Sequence, residues 1–209
     1  MVNNKQALWK TALLLAILTI SYNFIEGIIA IYWGIHDETL ALFGFGLDSF
    51  VEVISGIGIL HMVIRIRSGE NENRDTFEKK ALEITGTTFY LLAIGLVISS
   101  LIRLYKGEFP VTTFWGSVIG TVSIGTMWWL IREKIKVGTA LDSEAIIADA
   151  NCTRACMHLS IVLLISSLGY ELFDLIKIDS IGSILIAGIA YKEGKESFKK
   201  SLDKSSSCC

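Results

Sequence analysis

The sequence predicts an all-α membrane protein: a bundle of six transmembrane helices with both termini in the cytoplasm. Composition is the first reason. Of 209 residues 52% are hydrophobic, mean hydropathy is +0.54, and only 19% are charged, against about 25% in soluble domains. The second reason is six apolar runs, each near the roughly 20 residues needed to cross a 30 Å hydrocarbon core. The third is the uneven placement of lysine and arginine between alternate loops. The same numbers exclude other classes. One proline argues against a proline-rich chain, a net charge of −2 leaves no bulk footprint for nucleic acid, and four cysteines without a CxxC pair suit neither a zinc ribbon nor a disulfide framework.

The first run, about 9–35, opens with LWKTALLLAILTISYNF (8–24). It is too long for a signal-peptide core and lacks a small-residue cleavage site, so it reads as a retained helix. The next four runs cover about 39–64, 81–105, 110–131 and 144–169. The sixth, 173–191, is the weakest, because Lys177 and Asp179 interrupt its start. The one long polar connection is RSGENENRDTFEKK (67–80). These runs make one membrane domain, 1–191, followed by a short basic cytoplasmic tail, 192–209, placed to lie near anionic headgroups. That tail is too short for a separate metal-binding domain.

Orientation follows from the positive-inside rule. With the N-terminus inside, the cytoplasmic segments hold Lys5, Lys10, Arg65, Arg67, Arg74, Lys79, Lys80, Arg132, Lys134, Lys136 and five lysines of the tail, fifteen in all. The outer segments hold Arg103, Lys106 and Lys177. An even number of spans then returns the C-terminus to the cytoplasm.

Ionisable groups at mid-membrane cost about 2.5–3.5 kcal/mol each on insertion scales and mark functional sites by default. They concentrate in two spans. The second carries Asp48 and Glu52, and the fifth carries Asp149, Cys152, Arg154 and Cys156. Residues four apart share a helix face, so Asp48/Glu52 and Cys152/Cys156 each form a one-turn pair. If the two faces meet, two oxygens and two sulfurs converge, a set suited to a tetrahedral divalent metal such as zinc. Asp149 lies on nearly the same stripe and is a possible auxiliary ligand or proton carrier. Arg154 points away from Cys152, which suits a structural partner for a buried acid. The segments also align as a weak internal repeat displaced by 104 positions, with Asp48, Ser49 and Glu52 over Cys152, Thr153 and Cys156.

Plainer readings stand beside these. The two acids could serve only as interhelical hydrogen-bonding groups, and buried cysteines are commonly small apolar packers. His61 and His158 lie off the stripe and read as structural. His36, in the outer loop with Asp37 and Glu38, reads as solvated charge. Cys208 and Cys209 are open to acylation, metal binding or neither.

The pattern resembles the transmembrane domain of the cation diffusion facilitator family. Members have six spans with cytoplasmic ends and typically carry HxxxD in span two and HxxxD or DxxxD in span five. Here DSFVE (48–52) and CTRAC (152–156) occupy those places, ADA (148–150) resembles the run before the second motif, and SYNFIEGIIAI (21–31) and IDSIGSILIAGIAYKEGKES (178–197) are also similar. The departures replace the family's ligands with a half-hard, half-soft set, and the usual cytoplasmic metal-binding domain has no counterpart.

The resemblance implies a secondary transporter, not an enzyme, that exports a divalent metal from the cytosol by proton antiport. It has no prosthetic group. Its cargo is zinc foremost, with Cd2+, Co2+, Fe2+ and Mn2+ open. The ligands are Asp48, Glu52, Cys152 and Cys156, the partners are the bilayer, protons and a second copy meeting it through membrane helices, and the plasma membrane is its place. The alternative is a membrane metal sensor or assembly subunit that binds without transporting. A thiol enzyme is disfavoured, because helical i,i+4 spacing exceeds the 3.5–4.5 Å Cβ separation of a disulfide. A channel is disfavoured because a tight four-ligand site holds its ion too firmly.

Overall fold

Inside a bilayer every backbone amide must find its partner within the chain, which favours long uninterrupted helices. The sole proline, Pro110, falls between two apolar runs, so none of them is broken. The computed structural model describes residues 2–37, 40–67, 74–106, 114–173 and 178–206. Among these it forms six α-helices and no strand: α1 (Val2–His36), α2 (Leu40–Arg67), α3 (Arg74–Lys106), α4 (Phe114–Leu141), α5 (Glu144–Phe173) and α6 (Ile178–Ser206). The first five each contain a stretch long and apolar enough to cross a membrane, and the described part of α6 does not.

The helices close into a ring in the order α1, α2, α3, α6, α5, α4, with α2 and α5 also touching across its middle. The tightest pairs are α1 with α2, α3 with α6 and α4 with α5. Glycine sets two of these contacts by letting backbones approach. A Cβ on Gly34 of α1 would fall 2.5 Å from the backbone nitrogen of Phe43 on α2. Gly86 of α3 and Gly194 of α6 face each other, a Cβ on either meeting the other's carbonyl oxygen at 3.2 Å. At the outer end, Trp33 of α1 stacks on Trp115 of α4 at 4.4 Å.

The exterior is apolar and the interior partly polar, the reverse of a soluble bundle. Leu14, Ile25, Ile35, Leu91, Ile94, Leu101 and Ile165 are all more than half exposed, while Thr19, Asn23, Glu26, Asp48, Glu52, Lys134 and Asp149 are buried. An apolar surface of this extent belongs in lipid. The protein is an integral, multi-pass membrane protein.

Two boundaries differ from expectation. The basic segment after residue 191 continues α6 without a break to Ser206 and packs on α3. There Ser201 donates to Glu83 at 3.2 Å, and Phe198 stacks on Tyr90. Cys208 and Cys209 lie outside the described residues. The other difference is α4, which runs to Leu141, ten residues past its expected end. Arg132, Lys134 and Lys136 are therefore helical. Lys134 is buried in the bundle, not solvated in a loop, which leaves fourteen inner cations against three outer ones.

The turn after α4 explains why it runs so far. Only Asp142 and Ser143 separate α4 from α5. The Ser143 amide donates to the Gly138 carbonyl at 3.0 Å and the Asp142 amide to that of Thr139 at 3.3 Å. This pairing, with Asp142 at φ 51°, is a Schellman cap. Aspartate tolerates that left-handed conformation better than β-branched residues do. Ser143 then starts α5, its carbonyl accepting from Ile147 at 3.1 Å. Two residues of linker lock the antiparallel register, bringing Lys134, eight before Asp142, alongside Asp149 and Thr153. Asp142→Val is expected to cost about 1–2 kcal/mol in thermal unfolding of the detergent-solubilised protein, whereas Asp142→Gly is expected to cost nothing.

Candidate metal site

The sequence-predicted ligands lie on buried stripes of α2 and α5, two helices in contact. On α2 the inward stripe runs Asp48, Ser49, Glu52, Ser55. On α5 it runs Asp149, Cys152, Thr153, Cys156. Each of these eight residues is no more than 3% exposed. Repeats of three and four keep both stripes on one face over two turns. The two cysteines are free thiols. The Cys156 thiol makes hydrogen-bonding contact with the carboxyl groups of both Asp48 and Glu52. In the conformation described, no three His, Cys, Asp or Glu side chains among the described residues are grouped so as to hold a metal ion.

A lysine accounts for part of that. Lys134 of α4, 1% exposed, is the only buried lysine or arginine among the described residues. Its Nζ lies 2.8 Å from Asp149 Oδ2 and 3.6 Å from Glu52 Oε1, and it donates to Thr153 Oγ1 at 2.7 Å. Thr153 in turn donates to Glu52 Oε1. Asp149 also accepts from Ser55 Oγ at 3.3 Å, and Ser55 pairs with Thr85 of α3 at 2.8 Å. One polar network thus joins α2, α3, α4 and α5.

Two carboxylate oxygens stay outside it. Asp48 Oδ2 and Glu52 Oε2 are buried with no hydrogen-bond partner. Such groups are uncommon in native interiors, since leaving a buried acceptor unpaired costs about 1–3 kcal/mol and more when it is charged. A proton or a cation would satisfy each of them.

A second cluster adjoins the first. Glu26 of α1 is 6% exposed, accepts from Tyr22 at 2.7 Å, and is 3.3 Å from the Ser49 hydroxyl that donates to it. Asn23 and Thr19 lie on the same buried face.

Comparison with known proteins decides the family. The model of the Cation efflux transmembrane domain matches residues 16–204. The chain belongs to the cation efflux family. No curated protein sequence matches it closely enough to count as a relative. As a cation efflux protein of the cation diffusion facilitator type it is a membrane transporter of metal cations, and members of this family are not enzymes.

Within this cation efflux domain the remaining candidates fall away from the centre. Arg154 is exposed, and its Nη1 donates to Asn151 on the same helix at 3.2 Å. The partner for a buried acid is Lys134 instead. His61 and His158 are exposed, and His36 pairs with Asp37 at 3.4 Å at the end of α1. Glu38 lies outside the described residues.

Two residues escaped the sequence reading. Glu26 was visible as an acid in the middle of an apolar run, the same signal that marked Asp48. Lys134 sits in the sequence REK, which reads as the positive end of a span. Only the brevity of the Asp142–Ser143 linker hints that the helix carries it inward. Thr153→Val removes both hydrogen bonds between Lys134 and Glu52, and a loss of about 1–3 kcal/mol in detergent unfolding is expected, with Thr153→Ser close to wild type.

Proposed function

We propose that this cation transporter exports a divalent metal, zinc foremost, from the cytosol in exchange for protons, with Asp48, Glu52, Cys152 and Cys156 as its ligands. The observation that carries the reading is the pair of unsatisfied carboxylate oxygens, Asp48 Oδ2 and Glu52 Oε2, buried on α2 while two free thiols are buried on α5, the helix it contacts. Anionic oxygens in a low-dielectric core demand a cation or a proton. The site therefore has two ways to be neutral, and exchange follows from holding one or the other.

Metal binding requires deprotonated ligands and so releases protons. Two carboxylates and two sulfurs match the four-coordinate preference of zinc, and cadmium favours the sulfurs more strongly. Cobalt, iron and manganese fit progressively less well as the thiols count against harder ions. Asp149 is committed to Lys134 and Ser55 in this conformation, which makes it an auxiliary group at most. Alternating access requires α2 to rock against α5 and the α4 joined to it. Export from the cytosol places the protein in the plasma membrane. A second copy, meeting it through α3, belongs to the same proposal on the strength of the family likeness.

The test is metal-driven proton movement in proteoliposomes, with zinc, cadmium, manganese and iron against an imposed pH gradient. Wild type is expected to carry zinc or cadmium. Asp48→Ala and the Cys152→Ser/Cys156→Ser double variant are each expected to lose about tenfold or more, since even groups behind the ligands of metal sites are worth 10–100-fold. Flux surviving in the cysteine variant but lost without Asp48 would confine the site to α2 and favour a harder ion. No flux of any metal in correctly inserted protein would overturn the exporter and leave a membrane metal sensor.

A further inference from the structure

The exporter reading gives Lys134 no part, yet its ammonium group stands among the proposed ligands. We propose that Lys134 is a resident cation of the transport site, occupying cargo space in the metal-free state and releasing Glu52, while keeping Asp149, when a dication arrives. The inference rests on the exporter reading of Asp48 and Glu52.

The contacts of Nζ are unequal in a way that suits this role. Asp149 Oδ2 at 2.8 Å and Thr153 Oγ1 at 2.7 Å are close, and both belong to α5. Glu52 Oε1, on α2, is at 3.6 Å. An ammonium group has three donors, and these three acceptors match them. The weak member is the one that also belongs to the proposed coordination set. A merely structural lysine would need one carboxylate. Lys134 instead stands between two, Asp149 and Glu52, in a core where Asp48 Oδ2 and Glu52 Oε2 are buried without a hydrogen-bond partner.

The residue type fits as well. Lysine is a point charge on a flexible four-carbon stem and can withdraw from one acceptor while keeping another, whereas arginine commits a planar fork. Its anchor on α4 is joined to α5 by the two-residue turn, so any motion of α2 against the α4–α5 hairpin lengthens the Glu52 contact and leaves the Asp149 contact alone. Cargo affinity is then reduced by the fraction of molecules in which Lys134 holds Glu52. The same competition helps to expel the metal on the far side.

The experiment compares zinc and cadmium binding to purified protein by calorimetry with their flux in proteoliposomes. Lys134→Met is expected to tighten apparent affinity by about tenfold or more, because the competing state is removed, and to lower the maximal rate by a similar factor. Lys134→Arg, which keeps the charge but holds its acceptors through a planar fork, is expected to bind metal more weakly than wild type. A purely structural lysine would give weaker binding and slower flux together. If Lys134→Met does not fold, Lys134→Met/Asp149→Asn removes the pair as a neutral unit and is read the same way. Unchanged or weaker binding in the folded variant overturns the proposal while wild-type flux upholds the exporter. A wild type that neither binds nor carries metal overturns both.

Discussion

The buried ion pair between Lys134 and Asp149 constrains the rest of the bundle. Bringing an ammonium and a carboxylate out of water costs several kcal/mol per ion, and only close geometry with further hydrogen bonds returns it. Each further bond here comes from a different helix. Thr153 of α5 accepts from the lysine, Ser55 of α2 donates to the aspartate, and Thr85 of α3 pairs with that serine. The pair therefore holds four helices in register. Breaking a buried pair by removing one partner typically costs 3–5 kcal/mol, so sliding α4 against α5 is strongly opposed. Helices α2 and α3 join the pair through hydroxyl hydrogen bonds and the longer Glu52 contact. That rigidity is what a transport site needs on one side, with a looser contact on the other. The α1–α2 and α3–α6 pairs are close-packed by other means, through glycines and, for α3–α6, aromatic stacking.

Membrane physics made the fold legible. Apolar runs had to be helices, since no other open structure satisfies its backbone in lipid, and the acids within them had to face inward. Asp48 and Glu52 were therefore found by type and position alone, and their meeting with the α5 stripe followed from spacing. Cys152 and Cys156 were marked by the same i,i+4 rule. What remained hidden was hidden for a physical reason. A hydropathy window ends a span where charges begin, and Arg132, Glu133 and Lys134 begin there. The actual end of α4 is set by the cap at Asp142 and Ser143, a local backbone effect to which hydropathy is blind. Arg154 misled in the opposite sense. It lies mid-span by count, but two residues along a helix turn the side chain through about 200°, and it ends on the exposed face.

Glu26 and α6 show a finer limit. The acid of α1 was part of the segment SYNFIEGIIAI (21–31) and stood as far into its span as Asp48 does, but it has no second acid one turn away. Spacing arguments find pairs and pass over single groups whose partners, here Tyr22 and Ser49, are neutral. For α6 the basic run from Lys192 reads as solvated tail, yet Gly194, Ser197 and Ser201 form a small, buried face within it. Lys192, Lys195, Lys199 and Lys200 lie on the other sides of that helix. Charge content described the segment's solvent-facing surface and said nothing of the stripe that packs on α3.

Charge counting ties the network to the cargo. On the exporter reading, a dication held by four ionised ligands leaves an excess of two negative charges in the membrane, an expensive state at low dielectric. Lys134 does not cancel that excess, because Asp149 already takes up its charge at 2.8 Å. Neutrality comes instead when only two of the four groups are ionised at the ion, and a thiol that coordinates must be one of them, because it binds as the thiolate. Among the proposed ligands Lys134 reaches Glu52, at 3.6 Å. The lysine thus acts on stoichiometry through its second neighbour. By keeping one acid of α5 paired and leaning on one acid of α2, it leaves Asp48 as the acid of these two stripes without a lysine contact among the described residues.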